Sequence, residues 1–418
     1  MPSIFAALAH REFRLFWVGA AMSVAGRQAS MIATAWLLYD ITGSALQLGY
    51  LGAVRAVPAF VLGLVGGVLA DRFDRRRLLI VTTFASGVIW AGLAALVLID
   101  RVETWHILAV TFLAGAIGAF ESPSRHSIFP NLVERRNLTN AVALTTAMDP
   151  AMRIFVPVMA GVLIDRVGSG YTGPAAALFL VTGLYTLAST LLMMVHSPEV
   201  KRAKSGGFRG LVDGAKHLRD DSLVLFLLIM AFLTAIFGVA YTTLLPIFAD
   251  EISSANSGSV LGLFYSVGGV GGLLGALLTG TGRVTGRPGR FIVFTSVLFG
   301  ASLIGFALSP WFGLSLALLF IASLANNAFS VAAQTILQSR LADDFRGRVM
   351  GFWGMQHSVL HSLGSLEMGA LASLVGAAGA VIAGGAVVVA FAVFVAAPNR
   401  DLRSLGARSS GQPTEASR

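Results

Sequence analysis

Six charged side chains stand out within the long apolar runs of this 418-residue chain: Arg27, Arg55 and Arg153 on one side of the balance, Glu121, Asp149 and Glu367 on the other. A charge at mid-bilayer costs roughly 2.5–3.5 kcal/mol even on the mildest insertion scale, so each of these groups needs a counter-charge or water. A carboxylate that faces an arginine can exchange that partner for a proton, and a polar cavity inside a membrane is where such an exchange is useful. Asp149 and Arg153 stand four residues apart, close enough on one helical face to pair. The alternative is a set of fixed ion pairs that orient helices and never titrate.

Weaker polar signals lie in the second half. Asn326 and Asn327 are placed to touch a bound solute or to hydrogen-bond a neighbouring helix. His357 and His361 share a helical face at i, i+4 beside Gln356, and suit a proton or cation site; with no third ligand at supporting spacing a metal site is not expected. The chain has no cysteine, which removes disulfides, thiolate ligands and thiol nucleophiles. It contains no glycine-rich phosphate loop ending in Lys-Ser/Thr, no HExxH and no GxSxG, so direct ATP drive and hydrolytic chemistry are not expected and no cofactor is implied. Phe60, Phe120, Phe155, Phe232, Phe237 and Phe264 fit an apolar chamber or ordinary packing equally well. Trp17, Trp105 and Trp311 stand near run ends, as interfacial anchors do.

The elements that must position these groups are the apolar runs themselves. Twelve are recognised, at about 13–40, 46–70, 78–99, 105–129, 140–164, 174–195, 223–248, 258–280, 291–308, 311–337, 349–375 and 377–397. Each is long enough, at about 1.5 Å per residue, to cross a hydrocarbon core roughly 30 Å thick. About 25 of the 30 Lys and Arg fall in alternate gaps and in the tails, while Arg101 and Arg166 alone mark the opposite side. That places both termini in the cytoplasm. With 56% hydrophobic and 12% charged residues and a mean hydropathy of +0.78, the chain is an all-α polytopic membrane protein. The net charge of +9 is spread over short loops, so no compact basic surface for nucleic acid is expected. The first run is too long for a cleavable signal core.

A polar stretch at 196–222 divides six helices from six. The expected domains are a bundle at 1–195, a cytoplasmic linker at 196–222, a bundle at 223–398 and a disordered tail at 399–418. In the linker, Leu211, Val212, Ala215 and Leu218 have the spacing of a short surface helix. Features recur at half-chain offset: Gly67 to Arg77 is echoed by Gly275, Thr279 and Arg283, and Pro130 to Arg136 by Leu341 to Arg348. Small residues inside the runs, notably Gly268 to Gly275, and the prolines Pro58 and Pro157 allow close crossing and bending.

Gly67-x-x-x-Asp71-Arg72-x-x-Arg75-Arg76 between the second and third runs resembles the signature loop of the major facilitator superfamily, with Asp74 where the family has glycine. The resemblance covers residues 11 to 400. It implies two pseudo-symmetric six-helix bundles around a central cavity, and a cytoplasmic gate latched by Gly67, Asp71, Arg72, Arg75 and Arg76, with Arg125 beside it. Ala119-Phe120-Glu121-Ser-Pro123-Ser-Arg125-His126, Asn140 to Leu144, Ala151 to Gly161 and Arg346-Gly-Arg348 resemble the exporter branch that includes enterobactin exporters and macrolide efflux pumps. Pro157 to Gly161 is similar to an antiporter motif, with Val156 in place of its glycine. The resemblance implies a monomeric secondary transporter in the bacterial inner membrane. It would move an amphipathic small molecule, drug or siderophore-like, outward against protons by alternating access. Rival expectations are a flippase or facilitator for lipids or anionic metabolites and, more distantly, a membrane-embedded enzyme or a sensor.

Overall fold

The computed structural model describes residues 6–70, 74–168, 170–196, 222–280, 287–341, 349–350, 353–354, 359–399 and 402. Among these, regular structure is helical throughout. The helices are α1 (Arg11–Thr42), α2 (Ala45–Ala70), α3 (Arg75–Leu98), α4 (Thr104–Ile128), α5 (Leu138–Arg166), α6 (Thr172–Met193), α7 (Ser222–Leu233), α8 (Leu245–Ile252), α9 (Ser257–Gly280), α10 (Pro288–Leu308), α11 (Phe312–Arg340) and α12 (His361–Ala390). Ten helical segments among the described residues are long and apolar enough to cross a membrane.

Two differences from the expected twelve have physical causes. The first run forms a 32-residue helix, long enough to span, but Ser23, Arg27, Gln28 and Ser30 make it more polar than the rest. The last two runs form one continuous segment, His361–Ala396, with a break at Gly376. There φ is 81° and ψ 162°, a conformation that only glycine adopts without strain, so the backbone turns there between the expected eleventh and twelfth spans. The seventh run is also irregular: α7 passes through a π turn (Thr234–Gly238) and a 3-10 stretch (Val239–Leu244) before α8. Pro246 has no amide proton to continue the ladder into that stretch.

The chain divides into two compact units: Met1–Phe208 with Thr243–Ser266 and Ser365–Ser373, and Arg209–Thr242 with Val267–Gly364 and Leu374–Arg418. In the first unit α1 packs on α5 and α6, α3 on α4 and α6, and α2 on α4. Gly19 and Gly26, seven residues apart and so on one face of α1, admit α6: a Cβ on the first would meet Ala188, Leu191 and Leu192, and on the second the Tyr185 ring. Phe13, Phe16, Ala20, Met148 and Leu192 form part of the apolar core at that end.

Local chemistry fixes the helix ends. Asp74, the residue that departs from the family glycine, is the N-cap of α3: its Oδ1 accepts from the amides of Arg76 (2.8 Å) and Arg77 (3.3 Å). Glu103 and His106 form a capping box at α4, and α1 stops at Gly43 in the left-handed conformation, whose amide returns to the Tyr39 carbonyl at 2.7 Å. The Trp17 indole donates to the Leu144 carbonyl at 3.1 Å and ties α1 to α5.

In the second unit Leu227, Ile292, Phe329, Ala333, Leu337 and Ala392 belong to one buried core. The glycine run of α9 serves close packing. Gly271 and Gly275 lie against the carbonyls of Phe320 and Leu324 on α11, and Gly300 of α10 faces Gly385 of α12. The linker helix expected at 211–218, Arg346, Arg348 and the tail beyond Leu402 lie outside the described residues.

Candidate functional site

The charged residues of the first spans converge within the first unit. Arg27, just past the midpoint of α1, forms an ion pair with Asp149 on α5, Nη2 to Oδ1, with the two side chains 46% and 48% exposed. Asp149 therefore spends its charge on a residue from another helix and not on Arg153, the partner one turn away. Arg153 is exposed and forms no ion pair among the described residues. The spacing rule gives only proximity on an ideal helix; α1 crossing α5 offers a guanidinium directly across the contact.

A second carboxylate is held more deeply. Glu121 and Arg125, one turn apart on α4, are both buried, with Arg125 Nη1 at 3.8 Å from Glu121 Oε1. The same oxygen accepts a hydrogen bond from Ser23 of α1. Arg125, expected at the cytoplasmic gate, thus lies within ion-pair distance of Glu121. Arg55, half-buried on α2, lies within electrostatic reach of Arg27, Tyr185 and Tyr265, and makes no ion pair among the described residues. Tyr185 of α6 sits among Glu121, Arg27, Arg55 and Arg125 with its ring over Gly26.

Ser23 and Tyr185 escape a reading that looks for full charges. The available signals are slight: Ser23 precedes Arg27 by one turn, and Tyr185 is a lone polar-tipped aromatic in an apolar run. Together the cluster sets three guanidinium groups (Arg27, Arg55, Arg125) against two carboxylates (Glu121, Asp149), with two hydroxyl-bearing side chains between them. An excess of fixed positive charge in low dielectric attracts an anion.

The remaining predicted residues are more dispersed. Glu367 is half-buried on α12, and its Oε2 has no hydrogen-bond partner among the described residues. Asn327, in the second unit, donates to the Ser323 carbonyl at 3.0 Å and packs against Gly272 of α9, a helix-packing role; Asn326 beside it is half-buried. His361 opens α12, while His357 lies outside the described residues. Of the gate, Gly67 lies near the end of α2, Asp71 and Arg72 lie outside the described residues, and Arg75 begins α3. Arg76 donates to the Met193 carbonyl at 2.7 Å, placing a cation on the negative end of α6. No group of three or more His, Asp or Glu able to hold a metal ion occurs among the described residues.

Comparison with known proteins agrees with this architecture. The family model described as "Transmembrane secretion effector" matches residues 2–413. The staphyloferrin A transporter of Staphylococcus aureus is 26% identical over 364 residues, covering 84% of this chain and 87% of its own. The enterobactin exporter EntS of Shigella boydii is 24% identical over 366 residues, covering 87% and 86%. Among solved structures, a bacterial homologue of the human lysosomal transporter Spinster superposes with a TM-score of 0.72 at 14% identity, covering 97% of this chain and 99% of that one. The nucleoside transporter NupG superposes with a TM-score of 0.71 at 13% identity, covering 94% and 98%. With the model matched across nearly its whole length and the helices and buried charges placed as described, the chain belongs to the transmembrane secretion effector family of the major facilitator superfamily, and is a multi-pass membrane transporter of small molecules and not an enzyme.

Proposed function

We propose that this transporter exports an amphipathic small molecule, drug-like or siderophore-like, from the cytoplasm in exchange for protons by alternating access. The observation that carries this reading is the pair of compensated carboxylates in the first unit, Asp149 with Arg27 and Glu121 with Ser23 and Arg125. In the proposed cycle a helix movement separates each acid from its donors, and a proton takes their place until the movement reverses. Arg55, Arg153, Glu367, Asn326, Asn327, His357 and His361 complete the proposed pathway, with Gly67, Asp71, Arg72, Arg75, Arg76 and Arg125 as the cytoplasmic gate.

The enterobactin exporter among the relatives supports outward movement of a siderophore-like cargo, and the surplus cation of the charged cluster supports one that carries a negative group. The charge asymmetry of the loops supports insertion in the bacterial cytoplasmic membrane with both termini inside. We further infer a monomer built from halves at 1–195 and 223–398, joined through 196–222 and followed by a tail at 399–418. A second reading, a flippase or facilitator for lipids or anionic metabolites, is favoured by the same excess of guanidinium groups.

Transport into inside-out vesicles with an acidic lumen and no ATP separates the two. Ferric-free siderophores, macrolides and lysolipids are offered in turn. Accumulation that collapses with a protonophore supports antiport; downhill movement insensitive to it supports the facilitator.

A further inference from the structure

Asp165 sits in the last turn of α5, where the helix dipole is negative and a carboxylate is disfavoured. Its charge is compensated from elsewhere in the first unit. Oδ1 accepts the amide of Gly258 at 3.0 Å and Oδ2 the amide of Ser259 at 2.6 Å, two donors from the first turn of α9. Those amides have no acceptor within their own helix, so Asp165 acts as an N-cap supplied by another helix, 93 and 94 positions away in sequence.

The contact is built into a seam. On α5, Pro157, Gly161 and Asp165 recur every four residues; on α9, Gly258 and Gly262 do the same. A Cβ at Gly161 would strike the Gly258 carbonyl, one at Gly258 would strike Asp165 and Ile164, and one at Gly262 would strike the Pro157 carbonyl. The backbones thus touch along two turns with no side chain between them. Trp36 of α1 adds a hydrogen bond from its indole to Ser257 Oγ at 2.9 Å, so the start of α9 is held from two helices. The seam lies beside Arg166, on the side opposite the cationic loops.

We propose that Asp165 is the latch of the outer gate: its carboxylate clamps the N-terminus of α9 to α5 while the outer side is closed, and the two bonds break in every transport cycle when that side opens. The carboxylate moves from the amides of α9 to water, and the amides are hydrated in turn. Asp165 is a positioning residue, since it touches the gate and no cargo.

The absence of native cysteine allows a clean test. Ile164, 6% exposed and abutting the Gly258 position, is replaced by cysteine, and its alkylation by a membrane-impermeant maleimide added from the outer side is timed in intact cells. The Ile164→Cys chain is expected to label slowly against the same chain unfolded in detergent. Adding Asp165→Asn, which keeps the shape and removes the charge, is expected to raise the rate roughly tenfold, the change for one lost charge-assisted interaction. Asp165→Glu, whose longer arm cannot hold both amides in register, should raise it less, and melting temperatures recorded in parallel separate gate opening from unfolding. Either folded variant labelling at the parent rate overturns the proposal, as does a parent chain that already labels as fast as the unfolded one. The assay needs neither cargo nor a proton gradient, so its failure leaves the export reading untouched, and a failure of that reading leaves the latch standing.

Discussion

Arg27 and Asp149 are ion-paired across 122 positions of sequence, while Arg153, one helical turn from Asp149, takes no part. The pair joins α1 to α5 beside the buried Glu121, so each side chain takes its ionic partner from the other helix.

Removing one partner should therefore hurt more than removing both. Asp149→Asn and Arg27→Gln each leave a lone polar group, whereas the double variant leaves two neutral amides. Thermal unfolding of the four proteins in detergent is expected to give a coupling on the order of 1 kcal/mol, kept small by the half-exposure of both side chains. Strictly additive losses would count against the pair.

Gly26 has no room for a methyl group. A Cβ there would lie 2.8 Å from the Tyr185 ring, so Gly26→Ala must displace a fully packed tyrosine and is expected to cost about 1–3 kcal/mol. Gly183→Ala on α6, with open space at the same atom, should stabilise by about 0.5–1 kcal/mol through helix propensity alone. The two melting shifts should have opposite signs.

Asp74 should behave as a helix cap. Asp74→Ala is expected to cost about 1 kcal/mol, and Asp74→Gly, which restores the family residue, only a few tenths, because glycine is itself tolerated at an N-cap. Asp74→Asn should be nearly neutral. A large transport defect in the asparagine variant at unchanged stability would assign this side chain to the gate instead.

Gly376 carries the break in the last long helical segment. Its φ of 81° penalises any other residue, so Gly376→Ala is expected to cost on the order of 1–3 kcal/mol although nothing lies within 4 Å of the new methyl group. An unchanged melting temperature would mean that α12 straightens at no cost.

Much of the architecture follows from hydrophobic length and loop charge. The expected boundary between 349–375 and 377–397 falls on the residue where the backbone breaks, because the glycine ends both runs. Spacing along one helix is a poorer guide to partners. The i, i+4 relation of Asp149 to Arg153 is a property of α5 alone, whereas the observed pair is a property of how α1 crosses it. Asp165 illustrates the same limit: a carboxylate at a span end looks like an ordinary solvated terminus until the amides of α9 are seen in front of it. Asn327 reads equally as a solute contact or as a hydrogen bond to a neighbouring helix, and its amide donates instead to the Ser323 carbonyl of its own helix, beside Gly272 of α9. Contacts between helices distant in sequence are not encoded in the periodicity of either helix, so the residues that depend on them are the ones a single sequence leaves ambiguous.

Proton coupling through these carboxylates is measured as flux in proteoliposomes under an imposed pH gradient, made with the parent chain, Glu121→Gln and Asp149→Asn, each with a matched assay of cargo exchange at zero gradient. Gradient-driven flux is expected in the parent, with its loss in at least one of the two variants and exchange retained in that variant, since removing the proposed proton carrier uncouples transport without closing the path. Gradient-driven flux at the parent rate in both variants would contradict such coupling, and would leave the two carboxylates as structural ion-pair partners.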